Sequence, residues 1–388
     1  MIVLINSVSA KSGGASTYIR NLGRALTKSR HQYIFCLPSA HNSSDFSSAN
    51  FTVMPSAIAY KSAWRRFLWD QFTLRGMIKA RKADVLLSTS DFGMLLPPCK
   101  QVLMIRNPLF FSRLYLRHIL PRKSWKFKME FLFRRWLIAL SAKSADMVIT
   151  ASESMRRDVQ RAIPLLSDKV CVNPFGVPLD RFGASPFTDA DKMALSRPKP
   201  FQILYVSEYS DYKNLATLLE AVLILRRQGR EDFRLVTTAD PGQFLQEEIS
   251  TREKDRNLAA HPLVASCVKF TGRVPYEDIP KLYAQSDVFV FPSLAESFGH
   301  PLVEAMASRL PIVASDIDLC REMCGDAAVY FDPLNAKDLA EKISLLLDDA
   351  DLRTCLAQVG RMRAESIFNW DDHVRRLLEN LERTGSKQ

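Results

Sequence analysis

The sequence predicts an α/β fold with two doubly wound parallel sheets. Apolar runs of strand length alternate along the chain with amphipathic stretches of helical length, as in repeated βα units. Several of these runs are continuously apolar, which is typical of parallel strands buried on both faces. With 388 residues, 47% of them hydrophobic, the chain exceeds what one core usually supports and favours two domains.

The order of the elements follows from these runs. The predicted strands are 2–5, 33–37, 85–88, 102–105, 147–150 and 170–172, followed by 203–206, 233–237, 268–271, 288–291, 312–314 and 329–331. The helices between them include 18–28, 215–227, 280–286 and 302–308. No short internal repeat and no low-complexity tract interrupts this pattern.

The predicted domain boundary lies between residues 180 and 200, where Gly, Ser and Pro accumulate and the apolar periodicity is lost. The first domain then covers 1–185 and the second covers 190–367. The net charge changes at the same place, from +18 for residues 1–186 to −7 for residues 187–388. We expect a cleft between two such domains to collect strand ends, where open α/β sheets bind ligands.

Composition excludes several classes of protein. No apolar run approaches the roughly 18–20 residues of a spanning helix, and the N-terminus lacks the basic region of a signal peptide. The chain is therefore expected to be neither secreted nor membrane-spanning. Its seven cysteines are scattered and odd in number, which disfavours a disulfide framework or a structural zinc site and fits a reducing cytoplasm.

Residues 61–143 are strongly basic, with 18 Lys and Arg against 4 Asp and Glu, and many aromatic residues lie among them. Basic and aromatic residues on helical stretches are typical of a surface that contacts anionic lipid. Two alternatives stay open: a solvated basic face with the aromatic residues in the core, and a nucleic-acid surface. Because no known nucleic-acid-binding motif is present, no nucleic-acid partner is expected.

The first of three loops at predicted strand ends contains Gly13 and Gly14. Paired glycines permit close backbone approach, and a following helix N-terminus attracts anions. The loop is not GxGxxG, and no acidic residue follows about 20 positions later, so a nicotinamide cofactor is disfavoured. A simple tight turn is the alternative.

The second loop, residues 207–214, follows the strand 203–206 and ends beside a predicted helix. Lys213 stands just before that helix, whose N-terminal dipole disfavours a cation. A phosphate bound beside the lysine would remove this conflict. We therefore predict phosphate binding at Lys213, with a solvated loop lysine as the alternative.

The third loop follows a buried strand that ends at Pro292, and Pro301 begins the next helix. Glu304 then falls in or near the first helical turn, where its carboxylate can accept two hydroxyl hydrogen bonds from a sugar or ribose diol. Glu296 is expected to point into the same cleft. Alternatively, Glu304 complements the helix dipole and Glu296 is solvated.

The segment PSLAESFGHPLVEAMASRLPIVAS, residues 292–315, resembles the Glu-x7-Glu signature of retaining GT-B glycosyltransferases of family 4. Other segments follow the order of that family: VITASESMRRDV, VCVNPFGVPLDRF, ILYVSEYSDYKN, KFTGRVPYEDIPKLYAQSDVFVFPS and FNWDDHVRRLLENL. The resemblance implies two Rossmann-like domains, with a nucleotide-sugar donor held mainly by the second and an acceptor approached from the first. It also implies a C-terminal helix, within about 368–388, that crosses back onto the first domain.

The resemblance implies roles for single residues. Glu304 would hold the donor ribose, Glu296 would contact the transferred sugar, and Lys213 would neutralise the diphosphate, which Gly13 and Gly14 would cradle from the facing domain. The implied catalytic residues are therefore Glu296 and Lys213. Further donor contacts would come from Ser207, Gly272, Arg273, Ser297, Phe298 and Gly299. No metal and no cofactor is expected.

Two positions depart from the family pattern. Ser207 and Glu208 stand where the family often has Gly-Arg, so either Glu208 points away or another cation such as Arg273 substitutes. Arg106 and Asn107 stand where the family commonly shows a histidine near the donor sugar, which leaves that polar contact open.

The implied activity is transfer of a hexosyl group from a UDP- or GDP-linked sugar to a hydroxyl of a glycan or lipid-linked acceptor, with retention of configuration. The setting would be bacterial-type surface polysaccharide assembly at the inner face of the membrane. Because the carboxylate separation is not readable from the sequence, a covalent double displacement stays open. Another GT-B reaction, such as that of a nucleotide-sugar epimerase or a phosphorylase, and a catalytically silent partner protein are the alternatives.

Overall fold

A computed structural model describes residues 1–11, 13–39, 46–183, 200–245 and 249–386. Its contacts divide the chain into two units. The first consists of Met1–Phe111, Met129–Pro174 and Trp370–Gln388, and the second of Ser112–Lys128 and Phe175–Asn369. Residues 112–128 and 175–183 therefore group with the second unit, although the sequence analysis assigns them to the first domain. The rest of the predicted boundary, 184–199, lies outside the described residues.

Each unit is built on a parallel sheet, which confirms the predicted fold class. The strands are β1 Ile2–Asn6, β2 Gln32–Pro38, β3 Phe51–Ser56, β4 Val85–Ser88, β5 Lys100–Ile105, β6 Met147–Thr150, β7 Val170–Val172, β8 Phe201–Tyr205, β9 Phe233–Thr237, β10 Val268–Phe270, β11 Val288–Phe291, β12 Ile312–Ser315 and β13 Ala328–Phe331. The first sheet has the order β3-β2-β1-β4-β5-β6-β7, and the second has the order β10-β9-β8-β11-β12-β13.

Helices follow most of the strands, as repeated βα units require. They are α1 Gly13–Leu26, α2 Ala63–Arg81, α3 Trp125–Ser144, α4 Glu153–Ala162, α5 Leu215–Arg227, α6 Arg252–Ala260, α7 Pro262–Ala265, α8 Ile279–Ala284, α9 His300–Ala307, α10 Asp318–Cys324, α11 Ala336–Asp348, α12 Ala350–Ile367 and α13 Trp370–Gly385. None of the helices in the described part of the chain combines the length and apolar character that crossing a bilayer requires.

Strand β3 is the one strand of the described residues that the sequence analysis misses. It lies at the edge of the first sheet, pairs only with β2 and is partly exposed. It also contains Pro55, which cannot donate a hydrogen bond to a neighbouring strand and is tolerated at an edge. An edge strand needs no continuous apolar run, so the pattern that identifies buried strands does not find it.

Helix α13 packs against α1, β4 and β5 within the first unit. Its buried His373 fixes the contact: Nδ1 lies 2.9 Å from the carbonyl oxygen of Pro174, and Nε2 lies 3.1 Å from the hydroxyl of Tyr18. Because a carbonyl oxygen only accepts, Nδ1 carries the proton and Nε2 accepts from Tyr18. Burial lowers the pKa of His373 to about 4, so the imidazole is neutral at pH 7.

The core of the second unit lies between its sheet and the helices that cover it. Fully buried residues of β8 and β11, such as Ile203 and Val290, pack with Leu218 and Leu219 of α5 and Ile343 of α11. Burying aliphatic side chains of this size contributes about 1.5–3 kcal/mol each. The strands are thereby held rigidly, and so are the loops that leave their carboxyl ends.

Candidate active site

The second sheet has a topological switch point between β8 and β11. These strands are hydrogen-bonded neighbours, but the chain continues from β8 to β9 on one side and from β11 to β12 on the other. Connections that leave in opposite directions open a crevice at the carboxyl ends of the two strands, which is where open α/β sheets bind ligands. The loops after β8 and β11 are the ones that carry Lys213 and Glu296.

The loop after β8 is fixed by Asn214. Residues Asp211–Lys213 form a single 3₁₀ turn, and Asn214 then adopts the left-handed conformation with φ of 60°, which asparagine tolerates better than most residues. Its buried Nδ2 donates to the carbonyl oxygens of Pro292 at 3.0 Å and Pro333 at 2.8 Å, while Thr217 donates to its Oδ1 at 2.7 Å. Asn214 therefore ties the Lys213 loop to the ends of two further strands.

Lys213 and Glu296 form an ion pair across the switch point. Their side chains are only 15% and 12% exposed. Burial opposes the charged form of Lys213, but the Glu296 carboxylate outweighs it and raises the pKa of the lysine above its ordinary value. The backbone joins the two loops as well, because Leu294 N donates to the carbonyl oxygen of Tyr212 at 2.8 Å. The structure thus places a fixed cation where the sequence analysis expects phosphate.

Glu304 lies one turn inside α9 and is 5% exposed. Tyr283, from α8, donates a hydrogen bond of 3.0 Å to its Oε2, and Tyr276 donates a second. Burial raises the pKa of Glu304 to about 7, although both hydrogen bonds act in the opposite direction. The carboxylate is thus a buried acceptor of hydroxyl groups, whose present donors are two tyrosines.

The residues between Glu296 and α9 shape this end of the loop. Gly299 has φ of 76°, a conformation that favours glycine, and an added Cβ would meet Leu302 at 3.2 Å. Phe298 is 1% exposed and its ring packs against Phe175 and Phe368, so its side chain belongs to the core and only its backbone can meet a ligand. Ser297 is half-buried.

The remaining predicted donor residues lie at the ends of β8 and β10. Ser207 N donates to Thr238 Oγ1 at 2.9 Å, and the side chain of Glu208 is exposed. Gly272 has φ of 68° and open space around its Cβ position. Arg273 is exposed and forms no ion pair with any described residue. The sequence analysis offers two explanations for Glu208. Its exposed side chain agrees with the first, that Glu208 points away from the phosphate. For the second, Arg273 stays available as the substitute cation because no described residue pairs with it.

A buried ion pair that the sequence analysis does not predict supports the loop that carries Lys213. Lys123 Nζ lies 2.5 Å from Asp211 Oδ2, and the two side chains are 8% and 6% exposed. Ser250 Oγ donates to the same carboxylate oxygen at 3.1 Å. Ser112 Oγ donates to the carbonyl oxygen of Leu294 at 3.4 Å. The segment Ser112–Lys128 therefore contacts both loops of the switch point within the second unit.

In the first unit, Gly13 and Gly14 form the first turn of α1 instead of a loop before it. The prediction that this helix begins at Tyr18 is wrong, because the glycines continue directly into helical geometry. Gly14 is exposed, and nothing lies within 4 Å of its Cβ position. Ser12, beside them, lies outside the described residues.

Arg106 and Asn107 follow the carboxyl end of β5. The strands of the first sheet are parallel, so these residues lie at the same edge of that sheet as the loop between β1 and α1. The guanidinium of Arg106 lies 4.8 Å from the ring centroid of Tyr18, on α1. Backbone amides of Arg106 and Asn107 donate to Asp91 Oδ1 at 2.8 and 2.9 Å, and Asn107 Oδ1 accepts from Leu109 N. Asp91, which the sequence analysis does not identify, therefore holds this loop, while Asn107 serves as a turn cap.

We expect Asn214→Asp to lower the melting temperature of the second unit by roughly 4–8 °C. The carboxylate would face the Pro292 and Pro333 carbonyl oxygens without a donor, which costs about 2 kcal/mol, and a unit of this size loses roughly 2–4 °C per kcal/mol. Calorimetry measures the shift. Thr217→Val, which removes one hydrogen bond only, is the control and should cost about half as much. Equal shifts for the two variants would contradict the role given to the amide.

Across the described residues, no group of three or more His, Cys, Asp or Glu side chains is arranged to hold a metal ion. The expectation that the reaction needs no metal stays a prediction.

Comparison with known proteins finds relatives in sequence and in structure. The chain is 26% identical over 238 residues to O-antigen chain mannosyltransferase B of Escherichia coli, which is 60% of this chain and 59% of that relative. It is similar in structure to sucrose-phosphate synthase from Thermosynechococcus elongatus, with a TM-score of 0.76, 19% identity and coverage of 100% and 99% of the two chains. It is also similar to HepE of Anabaena in complex with UDP-glucose, with a TM-score of 0.71, 17% identity and coverage of 99% and 100%. At these identities the structural similarity shows the fold alone.

Family models cover most of the chain. Residues 12–181 match Glycosyltransferase Family 4, and residues 187–363 match Glycosyl transferases group 1. The first match contains the strands β2 to β7 of the first sheet, and the second match contains all strands of the second sheet. Together with the GT-B fold of the structural neighbours, these matches show that the chain belongs to the GT-B glycosyltransferases of family 4, group 1.

Proposed function

We propose that the protein transfers a hexosyl group from a UDP- or GDP-linked sugar to a hydroxyl group of a glycan or lipid-linked acceptor. The observation that carries this proposal is the Lys213–Glu296 ion pair at the switch point of the second sheet. It puts a cation and a carboxylate side by side at a strand-end crevice. In a sugar diphosphate, the phosphate oxygens can pair with the cation and the sugar hydroxyl groups can donate to the carboxylate. The similarity to a mannosyltransferase and to a protein bound to UDP-glucose supports the substrate class.

In this proposal the donor lies along the carboxyl ends of the second sheet. Lys213 neutralises the diphosphate, Glu296 accepts hydroxyl hydrogen bonds from the transferred sugar, and Glu304 holds the ribose diol. Backbone amides of Ser297, Phe298 and Gly299 donate to sugar and phosphate oxygens. Gly272 and Arg273 follow β10 and lie along the base. The two tyrosines on Glu304 show that its carboxylate already accepts hydroxyl groups.

The chemistry explains why a buried, fixed lysine is useful. Cleavage of a glycosyl–phosphate bond develops negative charge on the departing diphosphate, and a cation that is already in position stabilises this charge more than the ground state. Because its pKa is raised, Lys213 stays protonated at pH 7. Asn214 and the Lys123–Asp211 pair hold the loop, so little reorganisation is needed during the reaction.

We further propose that the reaction retains the anomeric configuration, without a metal ion. The acceptor hydroxyl attacks on the face of the leaving group, and the departing phosphate takes its proton. A bond to the acceptor oxygen forms as the bond to the phosphate oxygen breaks, so no enzymic nucleophile is required. NMR of the product's anomeric proton tests this step, and an inverted product would overturn it.

The similarity to an O-antigen mannosyltransferase supports a role in bacterial surface polysaccharide assembly. We propose that the protein works in the cytoplasm, because its scattered cysteines are free thiols in the structure and fit a reducing compartment. A lipid-linked acceptor would bring it to the inner face of the membrane.

We expect donor affinity to fall about tenfold between pH 8 and pH 6. Burial raises the pKa of Glu304 to about 7, so its carboxylate becomes protonated across this range and loses acceptor capacity for the ribose hydroxyls. Calorimetric titration with UDP- and GDP-sugars at both pH values measures the change. Glu304→Gln should bind weakly with a flat profile, and a pH dependence that persists in this variant would assign it to another group.

A thermal-shift panel of nucleoside diphosphates and their sugars tests the donor site directly. A ligand at about 100 times its dissociation constant stabilises the native state by about 2.7 kcal/mol, or roughly 5–10 °C for a unit of this size. Glu304→Ala should lose most of this shift. Glu341→Ala, an exposed glutamate on α11, is the matched control and should keep it. If no nucleotide raises the melting temperature, the donor site is refuted.

A further inference from the structure

Helix α2 is apolar on two sides, and the core of the first unit uses only one of them. Leu74 and Ile78 are buried at 0% and 2% exposure. Trp64, Leu68 and Phe72 lie on the other side, and they remain 53%, 37% and 73% exposed. Spacings of four residues keep these three side chains along one side of the helix. The core therefore does not explain why they are apolar.

Helix α3 repeats this arrangement. Phe131 and Ile138, seven residues apart on one side of the helix, are buried, whereas an apolar row on the other side stays between 45% and 55% exposed. This row consists of Met129, Leu132, Phe133 and Trp136, all in the first unit. Of the aromatic residues that the sequence analysis notes in this segment, Phe110, Phe111, Tyr115 and Phe131 do belong to the core. The alternative that all of them are core residues is therefore wrong.

The two rows join into one surface. The ring centroid of Trp64 lies 6.2 Å from that of Phe133, which in turn lies 5.8 Å from that of Trp136. We name this surface the aromatic face and define it by Trp64, Leu68, Phe72, Met129, Leu132, Phe133 and Trp136. A contiguous exposed patch of this kind marks an interaction site on a soluble protein.

Charge identifies the partner. The first-unit residues around the aromatic face, 61–111 and 129–143, have 12 Lys and Arg against 4 Asp and Glu. The acidic groups are largely engaged: Asp70 is buried and accepts from Asn6, and Glu130 pairs with Arg134. Exposed Lys61 lies just before α2, and exposed Lys79 stands two helical turns after Phe72. The surface thus presents cations around an aromatic centre.

We propose that the aromatic face docks the protein onto an anionic lipid bilayer, a proposal that rests on the proposed function for its lipid-linked acceptor. Tryptophan, phenylalanine and leucine enter the boundary between headgroups and acyl chains, while lysine and arginine pair with anionic headgroups. A second copy of the chain would bring an equally basic segment to the same face and be repelled. A nucleic acid would pair with the cations but leave the Leu and Met side chains uncovered.

Vesicle flotation with the full-length protein tests the docking. One arm uses phosphatidylcholine vesicles, and the other adds 30 mol% phosphatidylglycerol, both at low and high salt. We expect binding to the anionic vesicles to exceed that to the neutral vesicles by about tenfold or more and to weaken with salt, because several exposed cations act together. This comparison needs no variant. Equal binding to both vesicles, or none to either, overturns the proposal.

Variants locate the surface. Trp64→Ser with Trp136→Ser should reduce binding to anionic vesicles by about tenfold, because two half-exposed indoles no longer enter the bilayer. Leu165→Ser with Met362→Ser, which removes comparably exposed apolar groups elsewhere, is the control and should float like the parent chain. Tryptophan variants that float normally overturn the assignment, as does a dimer in light scattering that dissociates when the two tryptophans are replaced.

The nucleotide-sugar thermal shift is measured on the same proteins. A tryptophan variant that fails to float but keeps its thermal shift is folded and has lost the membrane surface alone. A parent chain that floats but shows no shift with any nucleotide refutes the donor site and leaves the bilayer contact standing.

Discussion

Replacing Lys213 with methionine should lower the turnover number by about 100-fold, equivalent to about 2.7 kcal/mol of transition-state stabilisation. The lysine is held against Glu296 at the switch point, so its charge is in place before the diphosphate begins to leave. Methionine is an unbranched side chain of similar length, and it removes the charge together with the hydrogen-bond donors of the ammonium group. Release of the nucleoside diphosphate from the donor, by transfer or by slow hydrolysis, provides the measurement without knowledge of the acceptor.

A second variant separates catalysis from stability in this experiment. Lys213→Met leaves the Glu296 carboxylate, at 12% exposure, without its cation, and a broken buried pair destabilises a protein by several kcal/mol. Adding Glu296→Gln removes the unpaired charge and should restore much of the melting temperature. Activity should stay low in the double variant, because the cation is still missing.

Lys213→Arg is the conservative control. It keeps the charge but changes its shape, and it should retain more activity than the methionine variant. If the methionine variant turns over normally, or if activity returns with stability in the double variant, Lys213 acts on folding alone and its proposed role at the diphosphate is wrong.

Much of the fold is readable from the sequence because its determinants are local. Continuous apolar runs mark the buried strands, and the helix predicted over 215–227 is α5 itself. The pattern fails where burial does not decide the structure. Strand β3 is a partly exposed edge strand, and α1 begins at Gly13 although glycine is a poor helix former.

The candidate site is readable only in part, for the same reason. A position between a strand and a helix singles out Lys213 and Glu296, and a position near the start of the next helix singles out Glu304. Their partners come from distant parts of the chain: Tyr283 reaches Glu304 from another helix, and Asn214 reaches carbonyl groups 78 and 119 residues away. Charge counting marks the neighbourhood of Lys123 as a basic surface, yet this lysine is buried. Only the folded chain reveals such pairings.

That buried lysine gives the second large effect. We expect Lys123→Met to lower the free energy of unfolding of the second unit by about 3 kcal/mol, or roughly 6–12 °C in melting temperature. Asp211 would keep its hydrogen bond from Ser250 but lose the cation 2.5 Å away, in a place where water reaches only 6% of its side chain. Calorimetry measures the loss. Lys126→Met, an exposed lysine on the same stretch of chain, is the control and should change the melting temperature little.

The same substitution tests how far the support of the Lys213 loop matters for the reaction. Asp211 begins the 3₁₀ turn that ends at Lys213, so its release should loosen the lysine and lower the turnover number as well as the melting temperature. Adding Asp211→Asn removes the unpaired charge and should recover most of the stability, because the neutral amide has the same shape and its oxygen can still accept the hydrogen bond from Ser250. If Lys123→Met alone leaves the melting temperature unchanged, the pair is an exposed surface contact. Stability that returns in the double variant without activity would instead show that Lys123 positions the loop.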